Sequence, residues 1–540
     1  MPFGAVLAQV GGLGRFQVLQ TVLLSVPILL MASHNLLQNF TAAVPPHRCR
    51  VPSATLGWSN GTLGPSEATL GSCWRYVASA PPNGSSGPRP TEPCHDGWDY
   101  DLSIYVATIW DLVCSYRQLR QMAQSIYMAG VLVGALLLGG LSDKFGRKAM
   151  LMWSYLQLGV MGTCTAFAPN YASYCVFRFA GGMALSGFGL SITLVEWIPT
   201  PYRAITVAIT GFAYTLGQIL LAGLAYAVPH WRWLQLTVSV PFFVFLLYSW
   251  WLAESARWLV LSGKAERAVK VLQRVARLNK KKEEGEKITV ENLRSNMKEE
   301  LAGLKSSYTV SDLVRTPVIR HIFFCLSIVW WGRAGFSYYG LAMDLQNFGV
   351  SIYLIQVIFG AVDFPAKVVV TVSLSYIGRR VSLMVALFFA GLVIIANIFV
   401  PTELQTVRTA LAVIGKGCLS ASFNCVFLYT TELYPTPIRQ TGLGFGSTMA
   451  RVGGIVAPLV KMMDEYYPFL PPAVYGVAPV VAAVAAGFLP ETLNAPLPDT
   501  IEEVESSCGR SGPPWLSSGR VAWPPPSTAS SSTRVSSTPP

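Results

Sequence analysis

The sequence predicts an all-α membrane protein of twelve transmembrane helices, built as two six-helix halves in parallel repeat. Three observations predict it. The chain has 540 residues, of which 52% are hydrophobic and only 13% charged, whereas soluble proteins carry about 25% charged residues. Apolar runs of about 20 residues, the length that crosses a hydrocarbon core of about 30 Å, recur along the whole length. Three pairs of short motifs also repeat at nearly one offset. "SDKFGRK" is echoed by "LSYIGRR", with Gly146 and Gly378 232 residues apart. "EWIPTPYR" is echoed by "ELYPTPIR", with Glu196 and Glu432 236 apart, and "LAESARWL" by "LPETLNAP", with Glu254 and Glu491 237 apart.

The spans centre at about residues 27, 132, 159, 183, 216, 241, 332, 363, 391, 418, 451 and 481. They divide the chain into an N-terminal half (1–252), a linking loop (253–319), a C-terminal half (320–490) and a tail (491–540). The first run, "FQVLQTVLLSVPILLMASHNLL", lacks a small-residue cleavage site and is long enough to remain as a helix.

Two loops set the expected orientation. Residues 39–117 contain no lysine, all three glycosylation sequons (Asn39, Asn60 and Asn83) and four cysteines (Cys49, Cys73, Cys94 and Cys114). Sequons with an even cysteine set predict an oxidising, extracellular loop with two disulfides, and four cysteines allow three pairings. The loop from about residue 253 to 320 carries 15 of the 40 Lys and Arg residues. That excess places it, and with it both termini, on the cytoplasmic side. The net charge of +12 is therefore explained largely by topology and calls for no nucleic-acid partner. The partner the composition requires is the lipid bilayer.

No enzyme site is legible. "GLGFG" at Gly442–Gly446 lies in a span with no strand before it, there is no Walker motif, and neither the cysteines nor the five histidines show metal-ligand spacing. No cofactor and no metal is expected. After Glu505 the tail has no Lys, Asp or Glu, a composition that predicts disorder.

The repeated turns have a physical reading. Arg147 and Arg379 lie just past helix ends, where a guanidinium can meet terminal carbonyls and a carboxylate together. Glu196 and Glu432, before the Pro-containing turns, can supply the carboxylate. Asp143, Arg147, Glu196 and Arg203 in the first half, with Arg379, Glu432 and Arg439 in the second, form a candidate cytoplasmic latch. Positive-inside arginines with capping acids are the alternative.

Ionisable groups at bilayer depth are costly and mark functional sites by default. Arg178, Arg333, Asp363, Lys367, Lys416 and Arg451 fall inside predicted spans. Asp363 and Lys367, four residues apart on one helix face, are expected to pair, and Arg451 has no acid on its own helix. Lys416 and Arg178 precede Glu432 and Glu196 by 16 and 18 residues, as counterparts in a structural role. A fairly dry, positively charged cavity would attract an anion, and the planar arginine fork suits carboxylate or sulfate. Tyr214 on the fifth span, and the aromatic seventh span, can supply flat apolar walls.

These residues carry a family resemblance. "GGLSDKFGRK" resembles the loop motif between the second and third helices of the major facilitator superfamily. The doubled Pro turns, the long first extracellular loop and "ESARWL" resemble the organic ion transporters, solute carrier family 22. "MASHNLLQNFTAA", "YAVPHWRWLQLTVS", "NFGVSIYLIQVIFGAVDFPAK", "GKGCLSASFNC" and "ELYPTPIRQTG" resemble its organic anion transporter branch, near the renal members. The likeness runs from about residue 1 to 505.

The resemblance implies a major facilitator fold and a secondary transporter of amphiphilic organic anions at the plasma membrane, exchanging them for an intracellular dicarboxylate. It implies that Lys367 and Arg451 bind the anion, where cation-carrying relatives have an aspartate at the second position. It also implies that Tyr338, Tyr339 and Phe423 line the cavity, with Asn35 nearby. A carrier of organic cations or zwitterions, and a sensor or scaffold that binds anions without turnover, are the alternatives. Three features depart from the pattern: Arg333 where the branch carries a small polar residue, a residue missing from "LSITLVEW", and the tail.

Overall fold

In the computed structural model the described residues are 2–50, 69–77, 90–101, 110–188, 196–199, 202–298, 309–345, 348, 350–435, 438–493, 498 and 500–509. The sequons at Asn60 and Asn83 lie outside them, as do the side chains of Asp143 and Arg203 and the tail beyond residue 509.

The apolar runs fold as helices because a chain in hydrocarbon must satisfy every backbone group internally. In the first half these are α1 (Arg15–Leu36), α2 (Gln118–Phe145), α3 (Arg147–Ala166), α4 (Tyr171–Phe188), α5 (Arg203–Ala227) and α6 (Trp231–Tyr248). In the second, α7 (Pro317–Trp330) runs on through a π-helical stretch, Trp331–Ser337, into a last turn, Tyr338–Ala342. It is followed by α8 (Ile352–Tyr376), α9 (Arg379–Phe399), α10 (Gln405–Leu433), α11 (Arg439–Lys461) and α12 (Leu470–Gly487). Among the described residues nine helices are long and apolar enough to cross a membrane by length and composition. The others, α3, α4 and α7, fill the places of the third, fourth and seventh predicted spans.

Packing follows the sequence repeat. Helices α1 and α5, α2 and α4, and α3 and α6 pack together in the first half. Their counterparts α7 and α11, α8 and α10, and α9 and α12 do so in the second. Between halves, α2 lies against α11 and α5 against α8. Tyr127, Tyr155 and Phe242 are buried in the first core, and Leu326, Leu387 and Tyr429 in the second.

The linking segment forms four short helices over residues 256–296. Its Asn279 holds the start of α1, where Gly14 has no side chain to cap: Asn279 Oδ1 accepts from Phe16 N at 3.0 Å, and its Nδ2 donates to Val10 O at 3.0 Å. The first loop carries two small antiparallel sheets. In one, His47–Cys49 pairs with Trp98–Tyr100; the other joins Thr69–Leu70, Trp74–Tyr76 and Thr91–Pro93. The disulfide pairing that the sequence left open is Cys49–Cys94 with Cys73–Cys114.

One sequon is enclosed by the fold. Asn39 is only 8% exposed, in the turn Gln38–Thr41 after α1, and its Nδ2 donates to Ala342 O at 3.0 Å. The side chain is thus enclosed where the two halves meet.

Candidate functional site

The repeated turns come together as matching clusters on the side of the bundle opposite the disulfide loop. Gly146 and Gly378 both have positive φ, 102° and 110°, which ends one helix and starts the next within one or two residues. The freed helix N-termini are then capped by distant carboxylates. Glu254 accepts from Arg147 N at 3.1 Å and Lys148 N at 3.3 Å; Glu491 accepts from Arg379 N at 2.9 Å and Arg380 N at 3.2 Å. The guanidiniums reach the other acids. Arg379 Nη2 donates to Glu432 Oε1 at 3.2 Å with its Nε at ion-pair distance, 3.2 Å from Oε2, while Arg147 Nε stands 3.7 Å from Glu196. Arg439, expected in the same latch, donates to Thr431 O at 2.8 Å and Tyr434 O at 3.3 Å at the end of α10. Glu254 and Glu491, visible in the sequence only as repeat markers, are the caps on which both turns depend.

Midway along the bundle, polar groups from both halves converge. On the first half, Asn35 of α1 donates to the Tyr214 hydroxyl at 3.1 Å and accepts from Tyr127 at 2.8 Å. Arg178 stacks on the Tyr127 ring, 4.1 Å from its centroid, and donates to His34 O at 3.4 Å. Tyr214 in turn faces Tyr339 across the half boundary. On the second half, Tyr338 and Tyr339 meet edge to face at 5.6 Å.

The expected Asp363–Lys367 pair is not formed. Asp363 pairs instead with Lys416 of α10 at 3.1 Å, their side chains 3% and 1% exposed. The fully enclosed ammonium needs a carboxylate, whereas half-buried Lys367 does not. Lys367 crosses the half boundary, donating to Gly211 O at 3.0 Å and Thr215 Oγ1 at 3.1 Å, with Phe212 beneath it at 5.2 Å. Helical spacing identifies same-helix neighbours but not a better partner across the bundle. Lys416 also donates to Phe359 O at 2.8 Å and Gln218 Oε1 at 3.4 Å.

Gln218 was not singled out from the sequence, yet it links the halves. Its Nε2 donates to Tyr338 OH at 3.0 Å, and its carbonyl accepts from Gln356 at 3.4 Å. An amide in the apolar run "YTLGQILLAG", four residues after Tyr214, was the available signal. Arg451 is half-buried on α11 and, among the described residues, makes no hydrogen bond or ion pair; the Tyr339 hydroxyl is within its electrostatic reach. No contact joins Arg451 to Asp363 or Lys367 among the described residues. Phe423 is 45% exposed, with Trp330 edge-on at 6.1 Å and the Arg333 guanidinium 4.4 Å from its ring centre.

The hydrogen bonds described between the halves run from this level toward the disulfide-loop side. They include Asn39 to Ala342 O, Ser125 to Ile455 O and Gln118 to Glu465. Toward the repeated turns, the described ion pairs stay within their own halves.

A family model described as "Sugar (and other) transporter" matches residues 99–504. Solute carrier family 22 member 6-A of Xenopus laevis is 59% identical over 527 residues, 94% of either chain. Organic anion transporter 3 of Homo sapiens is 52% identical over 518 residues, again 94% of each. This chain belongs to solute carrier family 22. It is therefore a transporter rather than an enzyme. The inward-open xylose transporter XylE from E. coli shares the major facilitator fold with this family member, with a TM-score of 0.60. That match covers 91% of this chain and 99% of the other at 16% sequence identity.

Proposed function

We propose that this chain is a secondary active transporter that carries amphiphilic organic anions across the plasma membrane, in exchange for an intracellular dicarboxylate. The observation that carries the reading is Arg451, a guanidinium inside the bundle with no partner among the described residues. Lys367 is the second anion ligand; among the described residues its ammonium has only neutral acceptors, Gly211 O and Thr215 Oγ1, which an arriving anion can outcompete. Tyr214, Tyr338, Tyr339 and Phe423 hold the apolar body, with Asn35 fixing the Tyr214 hydroxyl. The names of the 59% and 52% identical relatives point the same way.

Exchange follows from electrostatics. Asp363 and Lys416 cancel, so the empty site retains the charges of Lys367 and Arg451. Moving the halves around uncompensated charge in a low-dielectric interior is costly, and one bound anion removes much of that cost. The empty carrier then reorients slowly, and the loaded one quickly. With the basic loop and both termini cytoplasmic, the repeated turns face the cell interior, and this conformation is the inward-facing one. The ion pairs of Arg147 and Arg379 brace each half while the halves rock around the site.

The test is uptake of labelled estrone sulfate into cells expressing the chain, with and without preloaded glutarate. Stimulation by preloading supports exchange. Saturable uptake without stimulation refutes the exchange but keeps the anion carrier. Absence of uptake, with the protein at the surface, refutes the carrier and leaves an anion sensor or a cation carrier.

A further inference from the structure

Arg333 is the most deeply enclosed cation that the site does not yet use. It sits in the π-helical stretch Trp331–Ser337, is 2% exposed, and donates from Nε to Ser422 Oγ at 2.9 Å and from Nη2 to Leu419 O at 3.0 Å. Its Nη1 is buried without a hydrogen-bond partner, and among the described residues no carboxylate pairs with it. A buried guanidinium nitrogen in this state is expensive unless something engages its charge. The surroundings point toward the anion site: the guanidinium stacks on the back of Phe423, and the Tyr339 hydroxyl lies within electrostatic reach of both Arg333 and Arg451.

Charge counting gives the consequence. Around the site stand Arg333, Lys367, Lys416 and Arg451, with Asp363 the one carboxylate among them in the described residues. Four positive charges against one negative leave three uncompensated, and Arg178 behind Tyr127 adds another of the same sign. A singly charged anion leaves most of this field in place, whereas a doubly charged one neutralises a second unit of it. We propose that Arg333 is a specificity-determining residue that biases this transporter toward anions carrying two negative charges, dicarboxylates above all. This deepens the anion-transport reading and rests on it. Arg333 is 2% exposed and its guanidinium lies 4.4 Å from the ring centre of Phe423, which is 45% exposed, so the arginine acts through its field and by setting that ring.

The experiment measures kcat/KM for labelled glutarate and labelled estrone sulfate in cells expressing the full chain, with Arg333→Ser, Arg333→Lys and surface abundance read in parallel. The expected result is a fall of about tenfold in the glutarate-to-sulfate ratio for Arg333→Ser, with the ratio of Arg333→Lys within about threefold of the parent. An unchanged ratio in Arg333→Ser, whether both substrates persist or both decline together, overturns the proposal and leaves a packing arginine. Should Arg333→Ser not reach the surface, the parent chain decides. Its inhibition by glutarate must weaken as pH is lowered through titration of the second carboxyl, and inhibition that stays constant overturns the proposal. If the parent transports neither anion, it is the anion-carrier reading itself that fails.

Discussion

The Asp363–Lys416 pair offers the sharpest quantitative test of the site. Asp363→Ala would leave an ammonium that is 1% exposed with two neutral acceptors, Phe359 O at 2.8 Å and Gln218 Oε1 at 3.4 Å. Removing one member of a buried pair costs about 3–5 kcal/mol, and the surviving carbonyls place this case toward the lower end. Lys416→Ala strands the carboxylate and should cost a similar amount. The double substitution removes both charges, so it should be less harmful than the sum of the singles, with a coupling of about 2–3 kcal/mol. Lys367→Ala should show no such coupling with Asp363→Ala, because its ammonium is held by α5. The assay is the thermal midpoint of detergent-solubilised protein for the full set of single and double variants. Rescue of Asp363→Ala by Lys367→Ala and not by Lys416→Ala would show that the same-helix pairing is the real one and refute the arrangement described.

Four further outcomes follow. Arg451→Ala should lower estrone sulfate kcat/KM at least tenfold at unchanged surface abundance, as expected for a charged hydrogen bond worth about 1.5–3 kcal/mol, with Arg451→Lys recovering part of it. Gly146→Ala and Gly378→Ala should each slow exchange several-fold. Both positions have positive φ, and a Cβ would come 2.7 Å from Glu254 Oε2 or Glu491 Oε2; a defect at only one of them would break the functional equivalence of the halves. Peptide mapping without reduction should recover Cys49 linked to Cys94 and Cys73 linked to Cys114, and any other pairing contradicts the loop. Burial holds the Glu196 carboxyl above the ordinary glutamate range, although the Ser255 hydroxyl and the Arg147 charge both favour its ionised form. Its stabilising contribution is therefore present below the ordinary range and lost as pH rises through the raised value, while its pairing with Arg147 exists only above that value. Uptake should then change on mild acidification in the parent and stay flat in Glu196→Gln.

What the sequence made legible was whatever repeats or is costly. Apolar runs and the doubled Gly, Arg and Glu motifs identified the helices and both turns, since each is a local pattern with a local physical cause. Cross-bundle partners were not legible, because helical spacing carries no information about the helix opposite. Spacing therefore points Asp363 to Lys367, whereas the fold gives it to Lys416. Gln218, an uncharged amide, carries little signal in the sequence although it bridges Tyr338 and Lys416. The sequon at Asn39 fitted its pattern but not its burial, for a tripeptide cannot show that α1 continues into the turn Gln38–Thr41.

The corrected pairing also changes what the site can do. Had Asp363 neutralised Lys367, the uncompensated ammonium would be Lys416, which is 1% exposed and enclosed within the second half. With Asp363 committed to Lys416, the two enclosed charges cancel inside the second half, and Lys367 is left to tie α8 to α5 through neutral oxygens. That tie is an interhalf contact, and in the proposed transport cycle it is also the anion's second ligand. On the proposed reading, an anion that draws Lys367 away from Gly211 and Thr215 would loosen the boundary between the halves as it binds, coupling binding to reorientation through one ammonium. Lys367→Arg, which keeps the charge but replaces a compact point donor with a rigid fork, should retain anion affinity while altering the exchange rate. Parallel measurement of glutarate inhibition and of exchange turnover separates the two, and equal loss of both would leave Lys367 a simple ligand.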